Sequence, residues 1–222
     1  LNILRKLIGE IVQTELAGKK MIIGVVIDIG SDIIVLFNGK EYVYLPWVHI
    51  KNITIGKESD IDIPFPNDAP GFQWEENISF RKVLTMAKGI LVEISVSGEE
   101  TITGYITSIM NNYFSFYSPL YKTMYISMNH LKWLIPHSTY QKPFGLKNHE
   151  LTVQPSQLTL ARTFEVQIEK MKDSLVVFNT GEPGNIKGKI HAVEGNIIEV
   201  ISAKNKSIYL TFPHIKSVYG IQ

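Results

Sequence analysis

The sequence predicts an all-β protein of three tandem small five-stranded barrels, each preceded by a short helix, and three observations carry that prediction. The first is a recurring frame: Gly, then Tyr 20 or 21 residues later, then His-[Ile/Leu]-Lys beginning five residues after the Tyr. Its anchors are Gly24, Tyr44 and His49; Gly104, Tyr125 and His130; and Gly188, Tyr209 and His214, so equivalent positions recur every 80 to 84 residues. The second is agreement inside the frame. Tyr44-Leu45-Pro46-Trp47-Val48-His49 matches Tyr125-Ile126-Ser127-Met128-Asn129-His130 and Tyr209-Leu210-Thr211-Phe212-Pro213-His214, giving Tyr, aliphatic, small, bulky apolar, any residue, His. The third is strand chemistry: short runs of β-branched and aromatic residues broken by Gly, Asn and Asp, as antiparallel hairpins require. A fixed period of self-similarity marks one structural unit used repeatedly.

The boundaries follow from the anchors. Repeat one takes residues 1–58, an acidic Pro-rich strap 59–78, repeat two 79–136, a second strap 137–155 and repeat three 156–222. Each repeat opens on a short helix, expected over Asn2 to Ile8, Ser79 to Lys88 and Ser156 to about Phe164, because Asn and Ser side chains accept hydrogen bonds from the first free helical amides. In repeat one the strands are Met21 to Ile29, Ile33 to Phe37 and Glu41 to Leu45, with Asn38-Gly39 the strongest turn signal. Repeat two turns at Asn111-Asn112, and repeat three at Gly195-Asn196 and Lys204-Asn205-Lys206. The anchor glycines fall inside strands, where a missing side chain marks a bend or a close backbone approach. The Tyr-to-His stretch should hold the end of the fourth strand, a one-turn 3₁₀ connection and the start of the fifth. Proline at Pro64, Pro66, Pro70, Pro143 and Pro155 makes the straps extended, and Phe65, Phe72, Trp74, Tyr140 and Phe144 are expected to pin them by packing.

Composition excludes several classes. No run approaches the ~20 apolar residues that cross a bilayer, so a soluble protein without membrane insertion is expected. Leu1 to Gly9 carries charges inside its apolar stretch, which suits an amphipathic helix rather than a secretory signal. There is no cysteine, hence no disulfide framework and no thiol chemistry, which fits a reducing compartment. Charge is thin: residues 59–78 hold five acids and no base, and no repeat has the dense basic face that phosphate binding demands, so nucleic acid is not an expected partner. No Walker loop, Gly-x-Ser-x-Gly, His-Glu-x-x-His or dinucleotide fingerprint is present, and Asp60 with Asp62 reads as a solvated edge. No enzyme, catalytic residue, metal or cofactor is expected.

A helix followed by five bent strands is the plan of an Sm-like or SH3-like small barrel. The segments 7–53, 88–134 and 174–218 resemble the Sm-like fold through helix-Gly-x5-Gly-strands-Tyr-[Leu/Ile]-x-x-x-His-[Ile/Leu], where Gly18 and Gly98 precede the anchors of repeats one and two by six residues. They are more closely similar to a family of small barrels of spore-forming bacilli whose members are often labelled spore coat proteins. That resemblance implies a non-enzymatic structural, assembly or protein-interaction protein of a bacterium, in the cytoplasm or the spore coat, with a protein partner or self-assembly. The Sm resemblance also raises RNA binding as the alternative. The positions nearest the uridine pocket of the bacterial RNA chaperone of this fold are Tyr44/Val48/His49, Tyr125/Asn129/His130 and Tyr209/Pro213/His214, and its Lys is absent from all three.

Two further expectations concern single positions. His49, His130 and His214 would meet on one metal if the repeats closed around a pseudo-threefold axis; the simpler reading gives each imidazole a hydrogen bond to its own strand-four turn, with equal and additive costs on removal. Trp47, Met128 and Phe212 share one repeat position and are the candidate interaction residues, because bulky apolar side chains beside a short turn are hard to bury inside so small a barrel. Otherwise they cap their own barrel's open end.

Overall fold

The computed structural model describes residues 2–56, 63–67, 70, 72, 77–96, 100–137, 143–147, 153 and 158–221. Within these the protein is all-β, with three short helices. The first repeat holds α1 (Asn2–Arg5), β1 (Ile11–Leu16), β2 (Met21–Ile29), β3 (Ile33–Phe37), β4 (Tyr42–Pro46) and β5 (Ile50–Ile55). The second holds α2 (Phe80–Met86), β6 (Leu91–Ser95), β7 (Ile102–Ile109), β8 (Tyr113–Ser118), β9 (Lys122–Ser127) and β10 (Trp133–Pro136). The third holds α3 (Phe164–Glu169), β11 (Leu175–Phe178), β12 (Ile186–Glu194), β13 (Ile197–Ile201), β14 (Ser207–Thr211) and β15 (Ser217–Gly220). One-turn 3₁₀ helices at Trp47–His49, Met128–His130 and Phe212–His214 join the fourth strand of each repeat to the fifth, where the anchors place them.

The chain divides into two compact units, and the strands of the second repeat fall in both. One unit comprises Leu1–Ile94 and Lys132–Tyr140, the other Ser95–Leu131 and Gln141–Gln222. In the first, the strand order is β6-β10-β4-β3-β2-β1-β5; in the second, β14-β13-β12-β11-β15-β9-β8-β7. The fifth strand of repeats one and three thus folds back on the first, β5 on β1 and β15 on β11. Neither repeat closes through its fourth and fifth strands. β4 pairs instead with β10 of the next repeat, and among the described residues β14 has β13 alone as neighbour, so the sheet is open where closed barrels were expected.

The anchor glycines have one physical cause. A Cβ at Gly24 would lie 2.7 Å from the Phe37 carbonyl oxygen, one at Gly104 2.1 Å from that of Tyr117, and one at Gly188 2.4 Å from that of Ile201. In each repeat the next residue pairs with that same partner (Val25 with Phe37, Tyr105 with Tyr117, Lys189 with Ile201), and the register then slips by one at Val26/Asp28, Ile106/Ser108 and Ile190/Ala192. The extra residue bends the strand and raises its twist, and only glycine lets the neighbouring backbone close in.

The helices depart from expectation unequally. α2 lies as expected, with extended Ser79 accepting the Lys82 amide at 3.4 Å. α1 is shorter than expected. α3 begins at Phe164, where the expected helix was to end; its position follows from Phe164 and Ile168, four residues apart on one buried face, and Ser156 lies outside the described residues. Of the strap aromatics, Phe72 is buried against Tyr44 with ring centroids 5.2 Å apart, while Phe65 and Phe144 are exposed where packing was expected. Trp74, Tyr140, Pro155, Asp60, Asp62 and Gly98 lie outside the described residues.

Candidate functional site

Two of the repeat tyrosines, Tyr44 and Tyr125, together with His130, lie at two seams, one inside each unit, where one repeat hands its sheet to the next. At the first, β4 meets β10 antiparallel with Tyr44 opposite Leu134. At the second, β9 meets β15 with Tyr125 opposite Val218, flanked by Ile126 opposite Ser217 and Met124 opposite Tyr219. Leu134 and Val218 each stand nine residues after their own repeat's Tyr, so both seams have the same register. They also bury the same positions: Tyr44 is 1% exposed and Tyr125 2%, and Leu134 and Val218 are fully enclosed.

Each seam carries core as well as ladder. Trp133 and Ile135 of β10 pack into the apolar core of repeat one beside Val12, Leu36 and Leu45, and Lys20 Nζ sits 4.4 Å above the Trp133 ring. In the other unit Tyr113 and Tyr125 of repeat two join Phe164, Phe178, Val200 and Phe212 of repeat three. Tyr113 stacks on Phe164 with centroids 5.6 Å apart and donates its hydroxyl hydrogen to the Ala161 carbonyl at 2.7 Å; burial pushes its pKa up to about 12. Burial likewise raises the pKa of the Tyr44 phenol, so both hydroxyls stay protonated. Burying side chains of this size stabilises each seam by roughly 1.5–3 kcal/mol apiece.

Turn residues add a second link. Asp32 Oδ1 accepts the Phe80 amide at 2.7 Å, and Asn112 Oδ1 accepts the Phe164 amide at 2.8 Å, so the second turn of one repeat caps the helix of the next. The backbone carbonyls of Asp32, Asn112 and Asn196 receive the amides of Trp47, Met128 and Phe212 at 2.9, 3.0 and 3.1 Å. Asn112 and Asn196 stand out in the sequence only as turn-formers; the recurrence of Asp or Asn 12 or 13 residues before each Tyr is the signal that could have marked all three.

The histidines occupy three different environments. His130 does not bond its own turn: its Nε2 lies 2.9 Å from the carbonyl oxygen of Pro213 in the following repeat. Burial holds its pKa below the usual imidazole value, opposed by that hydrogen bond and by Glu182, and reinforced by Lys216 and His214. His49 is half-buried and His214 is exposed. Among the described residues, no group of three or more His, Asp or Glu side chains could hold a metal ion. A half-open cavity of about 310 Å³ lies at the second seam, lined by Asn112, Asn129, His130, Glu165, Asn196 and Phe212 among others.

The candidate interaction residues turn inward. Met128 and Phe212 are buried, and Trp47 is half-buried with its Nε1–H donating to the Gly30 carbonyl at 3.3 Å. The expectation that such side chains resist burial fails because the adjoining turn and the neighbouring core enclose them. On the outermost strands Tyr209 is 66% exposed and Ile55 51%, and in the first 3₁₀ turn Val48 is 75% exposed. No helix among the described residues is long and apolar enough to cross a membrane.

Comparison with known proteins agrees with a multi-domain bacterial chain. A family model described as the YwrJ third domain matches residues 163–218, from the start of α3 through the 3₁₀ turn into β15. An uncharacterized protein YwrJ of Bacillus subtilis (strain 168) is 38% identical over 212 residues, which cover 94% of this chain and 94% of that protein. With identity sustained along nearly the full length of both, the chain belongs to the YwrJ family.

Proposed function

We propose that this chain is a non-enzymatic structural or protein-interaction protein of a bacterium, built from three tandem Sm-like small-barrel repeats and carried in the spore coat. The observation that supports it most is the pair of seams: an invariant residue of the repeat, its tyrosine, joins one repeat to the next at both in a single register. Protein–protein joining is then the chemistry the repeat is built around. The return of the fifth strand onto the first in repeats one and three supports the small-barrel description.

The same burial weighs against RNA binding. A base stacks only on an aromatic face that solvent reaches, and Tyr44 and Tyr125 are closed inside seams. Tyr209 alone of the three is open. Titration with uridine-rich and adenosine-rich oligonucleotides at low salt is expected to give no binding; micromolar affinity that weakens steeply with salt would replace this reading with the nucleic-acid one. Fractionating mature spores of a bacterium that encodes the chain is expected to find it in the coat extract. Recovery only from the soluble interior would remove the coat assignment.

A further inference from the structure

The two outermost strands carry the two halves of a seam that the chain itself leaves unused. β14 ends the strand order of one unit and β5 that of the other, each with a single hydrogen-bonded neighbour among the described residues. By repeat position, β14 is the equivalent of β4 and β9, and β5 that of β10 and β15. The burial difference follows the same lines. The tyrosine that is 1% and 2% exposed at the internal seams is 66% exposed at Tyr209, and β5 is half-buried or exposed along its length where β10 is buried at three of four positions and β15 at two of four.

We propose that a second copy of this chain completes the seam, β14 of one copy pairing antiparallel with β5 of the other, with Tyr209 opposite Ile53. This rests on the protein-interaction reading and names its partner. The register is fixed by the internal seams, where the residue nine places after the Tyr faces the Tyr of the preceding repeat. Main-chain geometry agrees. The Phe212 amide points inward to the Asn196 carbonyl and that of Gly56 to the Ile11 carbonyl, so by the alternation of a ladder Tyr209 and Ile53 both turn their amides and carbonyls outward and can exchange two hydrogen bonds.

The flanking contacts have counterparts as well. Ser127 donates its amide to the Lys216 carbonyl across the second seam, and Thr211 and Lys51 hold the corresponding places on the outer strands. His130 reaches the Pro213 carbonyl across that seam; exposed His214 and 75%-exposed Val48 stand in the same relation between copies. The two surfaces differ, so the contact is head-to-tail, and it either closes a ring or extends a filament. An unpaired edge with an apolar row is a liability that proteins cover, and the covering pattern is already present twice in this molecule.

The test uses the full chain with light-scattering mass measurement at high micromolar concentration. Wild type is expected above the 25.2 kDa of one chain. Tyr209→Asp and Ile53→Asp, each placing a carboxylate in the seam, are expected to reduce the mass to one chain while circular dichroism stays unchanged. An equimolar mixture of the two variants retains one intact β14 and one intact β5, on different chains, and is expected to give a two-chain species. Should Ile53→Asp unfold, Ile55→Asp at the more exposed neighbouring position replaces it. A single-chain mass for wild type, a variant that keeps the wild-type mass, or a mixture that stays at one chain would each overturn the proposal. None of these outcomes bears on spore fractionation or on RNA titration, so this inference and the functional reading can fail separately.

Discussion

Tyr125 and Tyr209 occupy the same place in the repeat and live in opposite surroundings: one is sealed in an apolar core against β15, the other stands on a bare edge with its hydroxyl against Glu199 at 3.3 Å. Nothing in the six residues from Tyr to His explains the difference. What differs is the strand beside them: β15 of repeat three lies on β9, and among the described residues no strand lies on the open side of β14. The repeat is therefore only part of the folding unit, since its fourth strand becomes interior only when another repeat's fifth strand arrives. This is the nearest-neighbour logic of repeat proteins, in which the interface between units holds stability that no unit has alone.

The comparison is broken most sharply by truncating the two tyrosines. Tyr125→Ala should cost about 3 kcal/mol or more in denaturant unfolding, because it empties a buried aromatic site. Tyr209→Ala, measured in dilute protein, should stay within about 0.5 kcal/mol of wild type. Equal losses would mean that repeat position, not the seam, sets the energetics.

A smaller contrast lies in the turn side chains. Asn112→Ala removes the acceptor of the Phe164 amide and the donor to Glu165, and should cost about 1 kcal/mol with fraying of α3. Asn196→Ala, at the exposed equivalent, should cost close to nothing. Hydrogen exchange at the Phe164 and Glu165 amides reads the first effect locally.

The smallest effect is in pH. Burial holds the His130 pKa below its unfolded value, so the unfolded chain takes up a proton first. The sign follows from linkage: this histidine costs nothing well above pH ~6.5, and stability declines as pH falls through the unfolded pKa toward the folded one. His130→Gln should remove that part of the slope, seen in thermal unfolding midpoints between neutral and mildly acidic pH. An unchanged slope would assign the buried proton site elsewhere.

Much of each repeat was legible in the sequence because its signals are local. The β-branched runs, Asn38-Gly39 and the Gly-Tyr-His frame placed Met21–Ile29, Ile33–Phe37 and all three 3₁₀ turns, and each anchor glycine sits where a neighbouring backbone comes close. The handover of β4 to β10 and of β9 to β15 was not legible. It depends on which distant strand satisfies an edge, and an edge is satisfied in the same way by any strand of suitable register. The exposure of Tyr209, against the burial of Tyr44 and Tyr125, was hidden for the same reason. The start of α3 was missed because Ser156 offered a plausible cap, whereas Phe164 and Ile168 settle the helix by packing. The three histidines were read as equals, yet only their sequence is equal: His130 is bonded across a seam while His214 faces solvent.

Pro46 has a consequence of its own for how the chain sorts its strands while folding. Three nearly interchangeable fourth strands and three nearly interchangeable fifth strands on one polypeptide invite wrong partnerships, a familiar failure of tandem arrays. Ser127 and Thr211 bring an amide to the place from which Ser127 reaches the Lys216 carbonyl; Pro46 brings none. A chain that set β4 against β15 would forfeit that bond, about 1 kcal/mol, enough for a several-fold bias against the misplaced pairing. One imino acid thus works as an address, telling the third repeat's last strand which doorway is not its own.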